Sequence, residues 1–374
     1  MTRNGMLIAA AVACAVALMP LPASGDAPQF GQIMKRAQQL RQLTITEGDE
    51  IKIGEAVSEK VRIRYGVVQD PAVHRYVSLV GMAIAAETRR PDLPWTFIVL
   101  DTDGVNAFAA PGGFIHITRG ALGLMASEAE LAGVLAHEIE HVTQKHTVKA
   151  IQKSKAAQIG AEETIGDSKV FSRIVDATTE MVMAGFGRNE ELESDREGVR
   201  LANGIGYSPN GLHAFLARLS DRNKAATEKQ GLFASHPEMK ERLDKLTAQV
   251  ASEKLASSAT LEDRYRKHVS YRTKGQADIA AVAPGAAGLA GGGKDQKAEE
   301  EEKKEDKPKR RGFGLANMLK PSGSEKKSAE VVGSGASRGV DTERNAKGGA
   351  VATLVRVTIR PADVAAFKKE GNLR

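Results

Sequence analysis

The sequence predicts an α+β domain, mainly helical, with a small sheet beside one buried helix. Three observations carry that prediction. Apolar residues recur at helical spacing through most of residues 29–251. Two short runs, residues 95–100 and 114–118, read as strands. One helix, opening at Ser127, carries His137-Glu138-Ile139-Glu140-His141 beside its apolar stripe.

The elements follow in chain order. Arg3 supplies a basic start, residues 6–19 form an apolar run broken by Pro20, and Ala23-Ser24-Gly25 offers small residues before Asp26. This is the pattern of a secretory signal over residues 1–25. The run is too short for a transmembrane helix; an uncleaved N-terminal anchor is the alternative. Cys14, the single cysteine of the 374 residues, lies inside it. Ala11 stands where a lipid-attachment motif would have Leu, which argues against lipidation. The mature chain is therefore expected to hold no disulfide and no transmembrane helix.

The mature domain is expected over residues 26–270. Helices are predicted over residues 29–42, 49–64 and 73–89, the last with Val77, Val80 and Ile84 on one face. After the two strands, helices dominate from Ser127 to about Ala251, with one or two between residues 156 and 184. Beyond Tyr271 the composition shifts. Residues 280–293 are Ala/Gly-rich, 299–311 form a charge block, and 321–349 are rich in Ser and Gly, so residues 271–348 read as a disordered linker. The basic end of that block, residues 307–311, reads as solvated linker in preference to a contact for acidic lipid or polymer. Residues 349–374 regain pattern: a β-rich run at 351–359, then a short helix at 361–369. This element is read as docking either to an envelope partner or to the catalytic domain. The net charge of +6 comes from scattered residues and aromatics make up only 4%, which gives no support for nucleic-acid binding.

The helix from Ser127 carries the chemistry. Ser127 and Glu130 fit a capping box, and Leu131, Val134, Leu135, Ile139 and Val142 form the apolar stripe. A solvated His/Glu surface would lack such a stripe. Gly133 costs about 1 kcal/mol in helix propensity, which implies a close packing contact. His137 and His141, four apart, share a face and can direct both imidazoles at one zinc ion. Glu138 is placed to take a proton from an activated water. A catalytic zinc takes three protein ligands and leaves one position open. Glu190, Glu191 and Glu193 compete for the third place. Glu191 and Asp195 are spaced i, i+4, so Glu191 can bind the metal while Asp195 accepts the outer N–H of a ligand histidine. Taken alone, the same stretch is a charged, solvated helix start.

These motifs together resemble the gluzincin metallopeptidases that include the CAAX prenyl proteases, HtpX and the soluble periplasmic BepA-like enzymes. The resemblance runs from about Glu47 to about Leu246. Residues 105–120, with Asn106 and Pro111-Gly112-Gly113, are similar to a NAFA-PGG segment. Residues 128–141 match the metal-motif helix, and 188–195 match R-x-x-E-x-E-x-D with Glu191 at the ligand position. His236-Pro237 with Arg242 matches a later HP-x-x-x-x-R element. Ser194 replaces the usual Ala.

The resemblance implies a zincin-like metallopeptidase fold, one Zn2+ per chain, and a strand over residues 106–118 beside the cleft. An extended substrate would pair with a strand edge there, with Asn106, Gly112 and Gly113 shaping the cleft. His236 is implied to lie near the metal, as an oxyanion stabiliser, as a fourth ligand in a closed state, or as a loop residue without a role. His116 reads as a packed or exposed residue, not a ligand. His146, five after His141, reads as a helix-surface residue. Arg188 and Arg242 are candidates to hold acidic groups near the site, with ordinary surface charges as the alternative. No segment after the first reaches eighteen apolar residues, whereas the prenyl-protease and HtpX branches are membrane-embedded. The resemblance therefore implies the soluble branch, the periplasm, and unfolded or misassembled envelope proteins as substrates. The competing expectation is a chaperone-like or scaffolding protein with a largely closed, weakly active site.

Overall fold

A computed structural model describes residues 45–155, 168–223, 236, 239–272 and 351–374. The expected signal, the helix at 29–42 and nearly all of the expected linker lie outside the described residues. Among the described residues no helix is long and apolar enough to cross a membrane.

The chain opens with α1 (Glu47–Tyr65), whose Thr46 and Asp49 form a complete capping box. α2 (Pro71–Ala85) follows, capped by Asp70 with Pro71 in the first turn. A three-stranded sheet comes next: β1 (Thr96–Leu100), β2 (Ala107–Ala110) and β3 (Phe114–Thr118), in the order β1-β3-β2. β1 pairs with β3 in parallel, and β2 pairs with β3 antiparallel.

The expected single strand over residues 106–118 is thus a hairpin. Pro111–Gly113 forms a 3-10 turn between its arms. Gly112 sits at φ 74, and a Cβ there would lie 2.6 Å from the Cα of Ile51, so no side chain fits. The Glu50 carboxylate accepts the Gly112 N–H at 3.2 Å. The turn is therefore pinned to α1.

A short helix, α3 (Arg119–Leu124), leads to α4 (Glu128–Thr143). Every residue of α4 from Glu128 to Val142 is buried, so the helix runs through the core instead of lying on it. The Ser127 hydroxyl accepts the Glu130 N–H at 3.2 Å as expected. The return half of the box is absent: Glu130 accepts from Ala126 N–H and pairs with Arg218. A Cβ at Gly133 would stand 2.6 Å from Leu212 N, which is the close contact the sequence implied.

Then come α5 (His146–Lys155), α6 (Ser168–Ala184), α7 (Arg188–Ile205), α8 (Gly211–Asn223), α9 (Met239–Ser252) and α10 (Glu262–His268). α7 and α8 pack directly on α4, and α2 and β2 close its other sides.

The C-terminal segment rests on this same core. Residues 351–360 form no strand, contrary to the β-rich pattern. Their carbonyls are taken singly instead: Val67 N–H donates to Val351 O, Arg62 to Ala352 O, Gln69 to Thr353 O and Arg75 to Thr358 O. Three of these donors are side chains, so no ladder can propagate. The helix α11 (Pro361–Glu370) then packs on α2 with Phe367 buried, and Arg374 N–H donates to Ile205 O at 2.6 Å.

Candidate metal centre

α4 and α7 meet at a close approach. A Cβ on Gly198 would stand 3.0 Å from the His137 backbone nitrogen, so α7 lies almost against the helix it faces. That distance sets what its side chains reach. Glu191 and Asp195, one turn apart on α7, point at the two motif histidines of α4.

Four ligand atoms converge. His137 Nε2 lies 3.0 Å from His141 Nε2 and 3.4 Å from His236 Nδ1. Glu191 Oε2 is 3.5 Å from His137 Nε2, and Oε1 is 3.4 Å from His141 Nε2. His236 Nδ1 stands 2.9 Å from both Glu191 oxygens. All four residues are buried, and their ligand atoms lie within 4.8 Å of one another. A tetrahedral zinc with bonds of about 2.0–2.1 Å separates its ligand atoms by about 3.4 Å. The separations in the cluster lie around that value, from 2.9 Å up to no more than 4.8 Å.

The charge of the site points the same way. Glu138, Glu191 and Asp195 are three buried carboxylates facing one buried guanidinium, Arg242. That is an excess of two negative charges, which one divalent cation would balance. In the protein alone the same field falls on the titratable groups. Burial would lower His137, but its contacts with Asp195 and Glu191 outweigh it and hold the imidazole up at about 9. His141 moves the other way, far down, chiefly from burial. Asp195 is depressed to about 2: burial opposes this, and the charge of Arg242 overcomes it.

Asp195 and Arg242 brace the cluster. Arg242 Nε and Nη2 each donate to Asp195 at 2.7 Å, the bidentate geometry that fixes both planes. Nη1 reaches Glu191 Oε2 at 2.9 Å. Asp195 Oδ1 is in turn 2.9 Å from His137 Nδ1. Arg188 pairs with Glu241 on the surface.

Glu138 stands apart. It is 1% exposed, yet neither carboxylate oxygen has a hydrogen-bond partner among the described residues. His236 Nε2 is 3.6 Å from Oε1. Burial raises its pKa, partly offset by His236 and His137. A cavity of about 10 Å³, lined by Glu138, His137, His236, Arg242, Val134, Leu212 and Leu216, opens beside it, room for about one water.

Asn106, Gly112, Gly113 and His116 lie in the hairpin of β2 and β3. Asn106 is buried and holds its own corner, taking the Ala107 N–H on its side chain. Gly112 and Gly113 are buried in the hairpin turn. His116 is packed: it meets the Ser58 hydroxyl at 2.9 Å, and burial takes its pKa down to about 3.

His146 is a correction. It is 3% exposed, not on the surface. Its Nδ1 lies 2.9 Å from His141 Nδ1, and its Nε2 lies 3.2 Å from Glu193 Oε2. α4 ends at Thr143, Lys145 takes φ 58, and α5 restarts at His146. In an unbroken helix a residue five further on points about 140° away; the break folds it back under His141. Phe186, also missed, stacks on the His141 ring at 4.1 Å. No spacing rule could have found either.

A buried HExxH helix, an acidic partner helix and a small sheet define a metallopeptidase. Residues 71–250 match peptidase family M48. It is 26% identical over 213 residues to the beta-barrel assembly-enhancing protease of Escherichia coli K12, covering 54% of this chain and 43% of that one. A Vibrio cholerae protein provisionally given the same name is 28% identical over 211 residues, 54% of this chain and 44% of its own. A mitochondrial metalloendopeptidase of Schizosaccharomyces pombe is 28% identical over 202 residues, 53% and 60%. The chain thus spans less than half the length of the two bacterial relatives.

Proposed function

We propose that the protein is a zinc-dependent endopeptidase with His137, His141 and Glu191 as metal ligands and Glu138 as general base. The observation that supports this reading is the His137–His141–Glu191–His236 cluster, its ligand atoms within 4.8 Å of one another, beside a buried carboxylate with no hydrogen-bond partner among the described residues. Zinc, when bound, supplies Lewis acidity: it lowers the pKa of water toward neutrality and polarises the scissile carbonyl. Glu138 takes the proton of the attacking water and returns it to the leaving amine. Its raised pKa suits both transfers. Asp195 orients the His137 ring through Nδ1, and Arg242 holds Asp195 and Glu191 in place.

Unfolded or misassembled envelope proteins are the proposed substrates, in the periplasm, after export by the N-terminal signal. Support comes from the signal-like residues 1–25 and from the bacterial relatives named for β-barrel assembly. An extended substrate would pair with the edge of β2, a strand buried in this structure that would have to be uncovered first, with Asn106, Gly112 and Gly113 at its corner and turn.

A second reading draws on His236 Nδ1, which stands at the fourth corner of the cluster. There it would close the site, and the protein would act mainly as a chaperone or scaffold; swung away, it would be free to stabilise the oxyanion. The test is zinc content and casein cleavage by wild type, Glu138→Gln and His236→Ala. The protease reading expects one zinc in all three, cleavage by wild type and none by Glu138→Gln. Zinc-loaded wild type that cleaves no unfolded protein, alone or as His236→Ala, would overturn it. Higher activity in His236→Ala supports closure by His236.

A further inference from the structure

We propose that His146 and Glu193 are positioning residues that fix the proton on His141 so that its Nε2 lone pair faces the metal. This rests on the reading of His141 as a ligand.

The argument is one of hydrogen-bond direction. His141 Nε2 lies in the ligand cluster and His141 Nδ1 lies 2.9 Å from His146 Nδ1. Two ring nitrogens face each other, so one must donate and the other accept. Glu193 decides which. Its carboxylate only accepts, and it stands 3.2 Å from His146 Nε2. His146 Nε2–H therefore donates to Glu193, and His146 Nδ1 carries the lone pair. His141 Nδ1–H donates to it, and the free lone pair of His141 is on Nε2, inside the cluster. The reverse order fails at both ends. It would place an N–H of His141 among the ligand atoms and set a lone pair of His146 against a carboxylate.

Neighbouring groups agree with this order. Ser194 Oγ is 3.5 Å from His146 Nδ1, where its hydroxyl can donate to the same lone pair at the limit of hydrogen-bond distance. Phe186 stacks on His141 with an interplanar angle of 16° and blocks rotation of the ring. The two ligand histidines are therefore braced by different means. His137 faces a carboxylate directly, whereas His141 reaches one through a second imidazole. Glu193, in the stretch where three glutamates compete for the metal, acts on it through two residues, His146 and His141.

The test is zinc affinity of the full chain, measured by competition with a chromophoric chelator, with the visible spectrum of the cobalt-substituted protein as a second readout. His146→Ala is expected to bind zinc about 10- to 100-fold more weakly and to shift the cobalt bands. His146→Asn, which can restore an acceptor near the Nδ1 position, is expected to recover part of the affinity. Glu193→Ala, at a partly exposed side chain, changes affinity in the same direction by less and keeps the test available if His146→Ala does not fold. Zinc affinities within twofold of wild type in the folded variants, with unshifted cobalt bands, overturn the proposal even if their metal-free melting temperatures fall. A wild type that binds no zinc overturns the ligand assignment itself, and this proposal with it.

Discussion

Two glutamates on α4, Glu128 and Glu138, are equally buried and treated in opposite ways. Glu128 is 0% exposed and takes hydrogen bonds from Tyr76 at 2.8 Å, Tyr207 at 2.7 Å and two nitrogens of Arg264. Burial, followed by the charge of Glu128, holds both tyrosines far above their usual range, so both remain donors. Glu138, 1% exposed, takes no hydrogen bond from any of the described residues. A buried carboxylate without hydrogen-bond donors costs several kcal/mol when ionised and persists where the surroundings enforce it. Full satisfaction marks the first carboxylate as a fastening; the lack of it marks the second as available for chemistry. Glu128 also fastens the C-terminal segment: Arg264 donates to Phe367 O at 2.9 Å and lies 4.0 Å over the Phe367 ring.

Exchanging each glutamate for glutamine should break the comparison cleanly. Glu138→Gln removes a general base, a step that contributes about 10²–10⁴-fold, so casein cleavage should fall at least that far. The urea midpoint should hold or rise, because a buried carboxylate without hydrogen-bond donors has gone. A midpoint that drops by the equivalent of several kcal/mol would place Glu138 among the fastenings. Glu128→Gln should do the reverse. It leaves Arg264 buried without its counter-charge, a loss of about 3–5 kcal/mol in unfolding free energy, while zinc content per folded molecule is unchanged.

The contrast was half legible in the sequence. Glu138 announces itself through His137 and His141, and the i, i+4 spacing of Glu191 and Asp195 supplies the facing helix; both signals are local and helical. Glu128 has no such signal, because its donors come from 52, 79 and 136 residues away. The same division runs through the fold. Helices with capping residues and apolar stripes are readable, and α4 starts where Ser127 predicts. β2 is not readable, because Ala107-Phe108-Ala109-Ala110 lacks the branched residues of a strand. The run at 351–359 has them and forms no strand, because it lies against side-chain donors instead of a sheet edge. His146 escapes because one residue, Lys145 with positive φ, breaks the helical register.

Acid should separate the site from its surroundings. Asp195 is held at about 2 in the folded, metal-free protein, below its unfolded value of about 3.9. Its stabilising contribution is therefore complete above about pH 5 and lost progressively as pH falls toward about 1, roughly 2–3 kcal/mol in all. Glu138 has the opposite sign. Its folded pKa is raised, so its penalty is present when it is ionised and disappears as pH falls through that value. Urea unfolding of metal-free protein at falling pH should show wild type gaining on Glu138→Gln before both decline in the acid limb. A difference between the two that stays constant down to pH 4 would mean that Glu138 is not penalised by burial.

The finest test is within the fastening itself. Tyr207 and Arg264 both donate to Glu128 Oε1, and Tyr76 and Arg264 both donate to Oε2. Each oxygen thus has one neutral donor and one charged donor, and removal of a hydroxyl leaves the ion pair intact. Tyr207→Phe should therefore cost about 1.5 kcal/mol, the lower end for a hydrogen bond to a charged group, and Tyr76→Phe a similar amount. Because the two hydroxyls serve one carboxylate, their losses should not add. With both removed, Arg264 alone must satisfy Glu128, and the coupling between the two substitutions should exceed about 0.5 kcal/mol. Strict additivity would mean that Glu128 is held by independent pairs and not by a shared network. The opposition drawn with Glu138 would then rest on Arg264 alone.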